Sequence, residues 1–82
     1  MNYDQIRFAC KKLGFSENRI RACEAVIVSE TSAYSAEGIY TLPRGTVSRD
    51  VIKCSEKWDQ LLRDAQSVND LLLKHHEASD LN

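Results

Sequence analysis

The chain has 82 residues and a mass of 9.3 kDa, which leaves room for one small domain and excludes an enzyme with separate substrate and cofactor domains. Its 43% hydrophobic and 28% charged residues, one Pro and three Gly exclude a disordered or collagen-like chain, and no apolar run approaches the roughly 18 residues of a membrane-spanning helix. The net charge of the chain is −1. Residues 1–57 hold nine Lys+Arg and seven Asp+Glu, a net of +2, whereas residues 58–82 hold two Lys+Arg and five Asp+Glu, a net of −3. A contact with an anion is therefore expected in the first two-thirds of the chain.

Two helices are predicted at the start of the chain. Asn2 is expected to cap the first helix, and Gln5 three residues later completes a capping box. Gly14 is expected to end this helix in a left-handed conformation. Ser16 is the expected cap of the second helix, which fades near residues 28–30.

A short third helix and a long fourth helix are predicted next. Ser32 is the expected cap of the third helix, which extends to about Ile39, and the fourth begins at residues 43–45, Pro-Arg-Gly, because Pro suits a first turn. Apolar residues then recur at steps of 4 and 3, which predicts one long helix or two nearly collinear ones. Residues 45–76 would extend about 48 Å, so the far end needs a partner. The predicted apolar seam consists of Val47, Val51, Cys54, Trp58, Leu61, Ala65, Val68, Leu72 and His75.

The cysteines and histidines do not form a pattern typical of a chemical site. Cys10, Cys23 and Cys54 are spaced by 13 and 31 residues without a C-x-x-C motif, so we expect reduced thiols that pack as small hydrophobic side chains. His75 and His76 would point about 100° apart on a helix, which favours a solvated helix end over a metal site. No phosphate loop, nucleophile with a His partner or carboxylate pair is visible. The sequence predicts neither an enzyme nor a cofactor.

Residues 32–54 have the form of a helix-turn-helix unit, in which two helices cross closely at a small residue and an apolar residue anchors the turn. The residues that fill these roles are Ala36 or Gly38 at the crossing, Leu42 in the turn, and Val47 and Val51 in the second helix.

Two registers of this turn are compatible with the sequence. Many such units have Gly in the turn, where this chain has Tyr40 and Thr41. Either Thr41 takes the position of that Gly and Glu37 takes the usual small site, or one residue is inserted and Ala36 keeps the small site. The insertion is favoured, because Glu37 at a helix crossing would be a buried charge.

The predicted outer face of the fourth helix is short, polar and net positive, with Thr46, Arg49, Asp50 and Lys53. This face suits the major groove of DNA, where Arg49 would contact a guanine and Thr46 would contact a thymine methyl or a phosphate. The free backbone N–H groups near residues 44–46 also favour binding of an anion at the start of the helix. The alternative is an ordinary solvated face with local ion pairs. The residues predicted to contact DNA are Tyr34, Arg44, Gly45, Thr46, Ser48, Arg49, Lys53 and Lys57.

Residues 43–51 read Pro-Arg-Gly-Thr-Val-Ser-Arg-Asp-Val, after Ala-Val-Ile-Val at residues 25–28 and Ser-Ala at residues 35–36 and before Trp58. These residues resemble the helix-turn-helix region of TrfB/KorA-type transcriptional repressors of bacterial plasmids and phages. The resemblance covers about residues 3–58 and is specific over residues 43–51. The pattern of that family is Thr-Arg-Gly-Ala-Val-Ser-Gln-x-Val. The resemblance implies a homodimeric, operator-binding repressor whose recognition helix opens with the Arg-Gly-x-Val-Ser stretch. Arg49 stands where the family has Gln, which implies a different preferred base.

The segment after Trp58 shows no strand pattern like that of the family's dimer domain, so its role is predicted from its own residues. We divide the chain into a DNA-binding part, residues 1–57, and a helical dimerisation extension, residues 58–82, of the same all-α domain. The alternative is that the extension folds back on the first two helices. The predicted dimerisation residues are Trp58, Leu61, Leu62, Ala65, Val68 and Leu72.

The sequence therefore predicts a cytoplasmic homodimer without a membrane partner, which represses transcription by binding an inverted-repeat operator in double-stranded DNA. One alternative is a protein-interaction module whose apolar stripe binds a partner helix. A weaker alternative is an accessory factor of recombination or excision that bends DNA.

Overall fold

The computed structural model describes the backbone of residues 1–80 and the side chains of residues 1–72. Four helices follow one another, α1 (Tyr3–Lys12), α2 (Glu17–Ile27), α3 (Ala33–Ile39) and α4 (Thr46–Asp80). The described chain contains no strand, which confirms the predicted all-α class. Within the same residues, no helix is both long and apolar enough to cross a membrane.

The predicted caps of α1 and α2 are confirmed. The Gln5 N–H donates to Asn2 Oδ1 at 2.9 Å, and the Asn2 N–H donates to Gln5 Oε1 at 3.0 Å, which completes the capping box. Gly14 has a φ of +78° and turns the chain after α1. Ser16 Oγ accepts from the Arg19 N–H at the start of α2. Local side-chain chemistry therefore sets both helix starts.

Ser32 caps α3 as predicted, since its Oγ accepts from the Ser35 N–H at 3.1 Å. The fourth helix begins at Thr46, three residues after the predicted start at Pro43. Gly45 has a φ of +86°, and the Thr46 N–H donates to the Pro43 carbonyl at 3.1 Å. Because this left-handed residue cannot belong to the helix, Pro43 lies in the preceding turn.

The core lies where α1 and α2 pack against the first part of α4. One buried cluster joins Ile6 and Cys10 of α1 to Ile20 and Cys23 of α2 and Cys54 of α4. All three thiols are free and buried, as expected. Hydrogen bonding with Cys23, together with burial, raises the pKa of Cys10 to about 12, so this thiol stays protonated at neutral pH. A second cluster brings together buried side chains of α2, α3 and α4, namely Ala22, Ala36 and Val47.

The helix α4 continues far beyond this core. The molecule measures 62 × 20 × 16 Å along its principal axes, and the 35-residue helix accounts for about 52 Å of that length. Leu62, Val68 and Leu72 are 51%, 56% and 61% exposed. The alternative in which the extension folds back on α1 and α2 is wrong, because α4 is a single continuous helix.

Trp58 marks the point where α4 leaves the body of the molecule. It is half-buried and packs on the core of its own chain, and its ring centroid lies 6.4 Å from that of Phe8 in an edge-to-face arrangement. Leu61 is also half-buried, whereas Ala65 and the apolar residues that follow it up to Leu72 are exposed. The predicted dimerisation residues thus divide into two contiguous groups.

Candidate nucleic-acid interface

A tight turn joins α3 to α4. Thr41 has a φ of +55°, and the Leu42 N–H donates to the Glu37 carbonyl at 2.9 Å. Leu42 packs on the second core cluster, which confirms its predicted role in the turn. This contact fixes the position of the α4 N-terminus relative to α3.

The turn combines features of both predicted registers. Thr41 takes the left-handed position that glycine often occupies, and Glu37 lies four residues before it and is buried. The argument for the insertion is therefore wrong, since Glu37 is buried, although Ala36 is also fully buried and packs with Val47. Glu37 tolerates burial because its Oε2 accepts a hydrogen bond from the Val47 N–H at 3.0 Å. A carboxylate at a helix N-terminus is also stabilised by the helix dipole.

The free N–H groups expected at the start of α4 are partly occupied. The Thr46 N–H bonds to the Pro43 carbonyl and the Val47 N–H bonds to Glu37. The Thr46 N–H is therefore not free, and a carboxylate of the same chain lies next to it at Val47.

Removal of the Glu37 carboxylate is expected to destabilise the start of α4. The variant Glu37→Ala leaves the buried Val47 N–H without an acceptor, and a buried unpaired donor costs about 1–3 kcal/mol. Glu37→Gln keeps an oxygen acceptor and is the matched control, with a smaller expected loss. Urea unfolding followed by circular dichroism measures both. Equal losses in the two variants would contradict the capping role.

Asp50 does not lie on the outer face of α4 as predicted. It is 2% exposed and receives two hydrogen bonds from Arg19 of α2, from Nε at 2.8 Å and from Nη2 at 2.7 Å. The Arg19 guanidinium also lies 3.9 Å from the centroid of the Phe15 ring. The hydrogen bonds to Asp50 raise the pKa of Arg19. Because α2 lies beside this position of α4, the polar face is narrower than the sequence pattern indicates.

The remaining predicted residues of α4 lie largely on the surface. Ser48, Arg49 and Lys53 are exposed, whereas Thr46 is half-buried. Lys57 is half-buried and its Nζ lies 3.5 Å from Gln60 Oε1. The structure therefore brings a short cationic surface together on the first two turns of α4.

Tyr34 of α3 lies near Arg44, which precedes this surface in the chain. Its side chain is 75% exposed and borders a shallow hollow. Arg44, at the turn before α4, is exposed and borders the same hollow, together with Gly38 and Leu42. Tyr34 and Arg44, two predicted contact residues from different parts of the chain, thus border the same hollow. Gly45, which lies between Arg44 and Thr46, is half-buried.

The charges of residues 1–57 separate into a paired and an unpaired set. Arg7 contacts Glu17 at 2.7 Å and Glu24 at 3.1 Å, and Arg21 contacts Glu17 at 3.3 Å. The hydrogen bond from Arg7 lowers the pKa of the Glu17 carboxyl. With Arg19 bound to Asp50, these pairs neutralise three arginines. Within the described residues, the cations of this part that form no ion pair are Lys11, Lys12, Arg44, Arg49, Lys53 and Lys57.

No metal site is present among the residues that the structure describes, since no group of three or more His, Cys, Asp or Glu side chains there could hold an ion. The side chains of His75 and His76, the candidate ligands in the sequence, lie outside the described residues.

Comparisons of the chain with protein-family models, with curated proteins and with solved structures found no match in any of the three. The resemblance of residues 43–51 to TrfB/KorA-type repressors therefore stays a prediction from the sequence.

Proposed function

We propose that this chain is a sequence-specific DNA-binding regulator of transcription, a homodimeric repressor in which α3 and α4 form a helix-turn-helix. One observation carries the proposal. Between residues 44 and 53, every exposed charge is positive, since Arg44, Arg49 and Lys53 lie on the surface and Asp50 is buried against Arg19. The opposite face of the same helix is anchored in the core through Val47 and Cys54.

Such a helix fits the major groove of DNA, which is about 12 Å wide. In this proposal Arg49 contacts a guanine edge, and Thr46 contacts the adjacent base or phosphate. Ser48, Lys53 and Lys57 contact the phosphate backbone along α4, and Tyr34 and Arg44 contact it beside their shared hollow. Binding involves no catalytic step and no cofactor. Occupancy of the operator would exclude RNA polymerase.

The exposed apolar stripe on α4 supports a homodimer. Exposure to water of an apolar stripe that includes Leu62, Val68 and Leu72 is unfavourable in free energy. A second copy of the helix would remove this stripe from water. A two-fold dimer would hold two recognition helices about 34 Å apart, which matches one turn of duplex DNA and an inverted-repeat operator. The half-buried Trp58 and Leu61 would lie at the edge of this contact.

Arg49→Ala is expected to weaken binding to the preferred site by about 1–3 kcal/mol and to remove base preference at one position of each half-site. The preferred site is obtained by selection from a random duplex pool, and fluorescence anisotropy measures the affinities. Arg63→Ala, which removes an exposed arginine beyond Glu56 on the same helix, is the control and is expected to have a smaller effect. Equal weakening of specific and random DNA by Arg49→Ala would rule out the base-contacting role.

A second candidate function is a protein-interaction module, which the same exposed stripe also favours. In that case α4 would bind an apolar helix of another protein, and the cationic surface would be an ordinary solvated face. Salt dependence separates the two candidates. DNA affinity falls steeply with salt because phosphates regain their counterions, whereas apolar helix contacts hardly respond.

A further inference from the structure

Ile52 is an unusual side chain on the surface of α4. It is 59% exposed and belongs to neither of the two core clusters. Between residues 46 and 60, all of which the structure describes, every other exposed side chain is polar or charged. These polar neighbours are Ser48, Arg49, Lys53, Glu56, Asp59 and Gln60. The sequence pattern does not indicate a role for Ile52, because this residue is apolar but lies outside the apolar seam of α4.

The position of Ile52 relative to Arg49 gives it a specific environment. Residues three and four apart on a helix are neighbours on one face, so Ile52 lies beside both Arg49 and Ser48. Glu56 is the first exposed acidic residue of α4 and lies one turn further on. Ile52 therefore lies between the exposed cations Arg49 and Lys53 and before the first exposed carboxylate of α4.

We propose that Ile52 is a specificity-determining residue that contacts the 5-methyl group of a thymine next to the guanine bound by Arg49. This inference rests on the proposed function. An aliphatic side chain forms no hydrogen bonds, and the thymine methyl is the apolar feature that a base pair presents in the major groove. Removal of one such methyl from water changes affinity by about fourfold.

The test starts from the operator selected by the wild-type protein. Each thymine is replaced in turn by deoxyuridine, which deletes only the 5-methyl group, and affinity is measured for the wild type and for Ile52→Ala. We expect one position in each half-site at which uracil weakens the wild type about fourfold and leaves the affinity of Ile52→Ala unchanged. Lys53→Ala is the control, and it is expected to weaken binding while keeping the full preference for thymine over uracil.

Several results would overturn the inference. One is that Ile52→Ala keeps the preference of the wild type for thymine over uracil at every position. A second is that the selected operator has no thymine next to the position at which the preference for guanine depends on Arg49. A third is that Ile52→Ala weakens dimer formation and leaves the preference for thymine unchanged. If the selection enriches no sequence, the proposed function itself fails. Because Ile52 is exposed, the unfolding curve of the variant is expected to match that of the wild type.

Discussion

Substitution of Arg19 by methionine is expected to lower the free energy of unfolding by about 3 kcal/mol. The variant keeps the apolar length of the side chain but leaves the Asp50 carboxylate buried without a counter-charge. Loss of one partner of a buried pair costs about 3–5 kcal/mol, and the lower end applies because the Arg19 side chain is 31% exposed. The total free energy of unfolding of a domain is only about 5–15 kcal/mol. The midpoint of urea unfolding should therefore move to a clearly lower urea concentration.

Two variants make this measurement specific. Arg49→Met removes an exposed arginine from α4 and is expected to change stability by less than about 0.5 kcal/mol. Arg19→Lys keeps the charge but loses the two parallel hydrogen bonds to Asp50 and the contact with Phe15, so an intermediate loss is expected. If Arg19→Met is as stable as Arg49→Met, the pair does not hold α2 against α4.

The helix starts could be predicted because their causes are local. Asn2, Ser16 and Ser32 each accept a hydrogen bond from an N–H three residues later, and Gly14 has the positive φ that the sequence indicates. The start of α4 was predicted less well. Proline suits a first turn, but the positive φ of Gly45 places the boundary after Gly45 rather than before it.

The positions of two acidic residues could not be predicted, because their partners are distant in sequence. Glu37 bonds to the backbone of Val47, ten residues away, and Asp50 bonds to Arg19, 31 residues away. A helical pattern assigns acidic residues to the surface by type alone. Burial of both follows only once α2, α3 and α4 are packed together. Burial of Asp50 leaves the exposed charges of residues 44–53 uniformly positive.

The seam of α4 was predicted as one continuous feature, and the structure divides it. Val47 and Cys54 are covered by the chain's own α1, α2 and α3, whereas Val68 and Leu72 are uncovered. The repeat of apolar residues is the same in both parts, so it does not indicate which part the first three helices reach. The helices α1 and α2 are only ten and eleven residues long. They can therefore pack against the first part of α4 but not against its far end.

Replacement of the uncovered stripe is expected to convert the proposed homodimer into a monomer. The triple variant Leu62→Gln, Val68→Gln and Leu72→Gln removes three exposed apolar side chains from the part of α4 beyond Leu61 while leaving the core untouched. Operator affinity is expected to fall by at least about 100-fold, because two linked half-site contacts become one. Sedimentation equilibrium measures the mass, and anisotropy measures binding to full operators and to single half-sites.

The matched control places the same number of glutamines on the opposite face of α4, as Arg63→Gln, Ser67→Gln and Asp70→Gln, where all three residues are exposed. It is expected to remain dimeric. The stripe variant should retain the half-site affinity of the wild type, since its recognition surface is unchanged. A stripe variant that stays dimeric would exclude this face as the subunit contact. A wild type that is itself monomeric but binds a foreign apolar helix would instead favour the interaction module, because the stripe would then serve another partner.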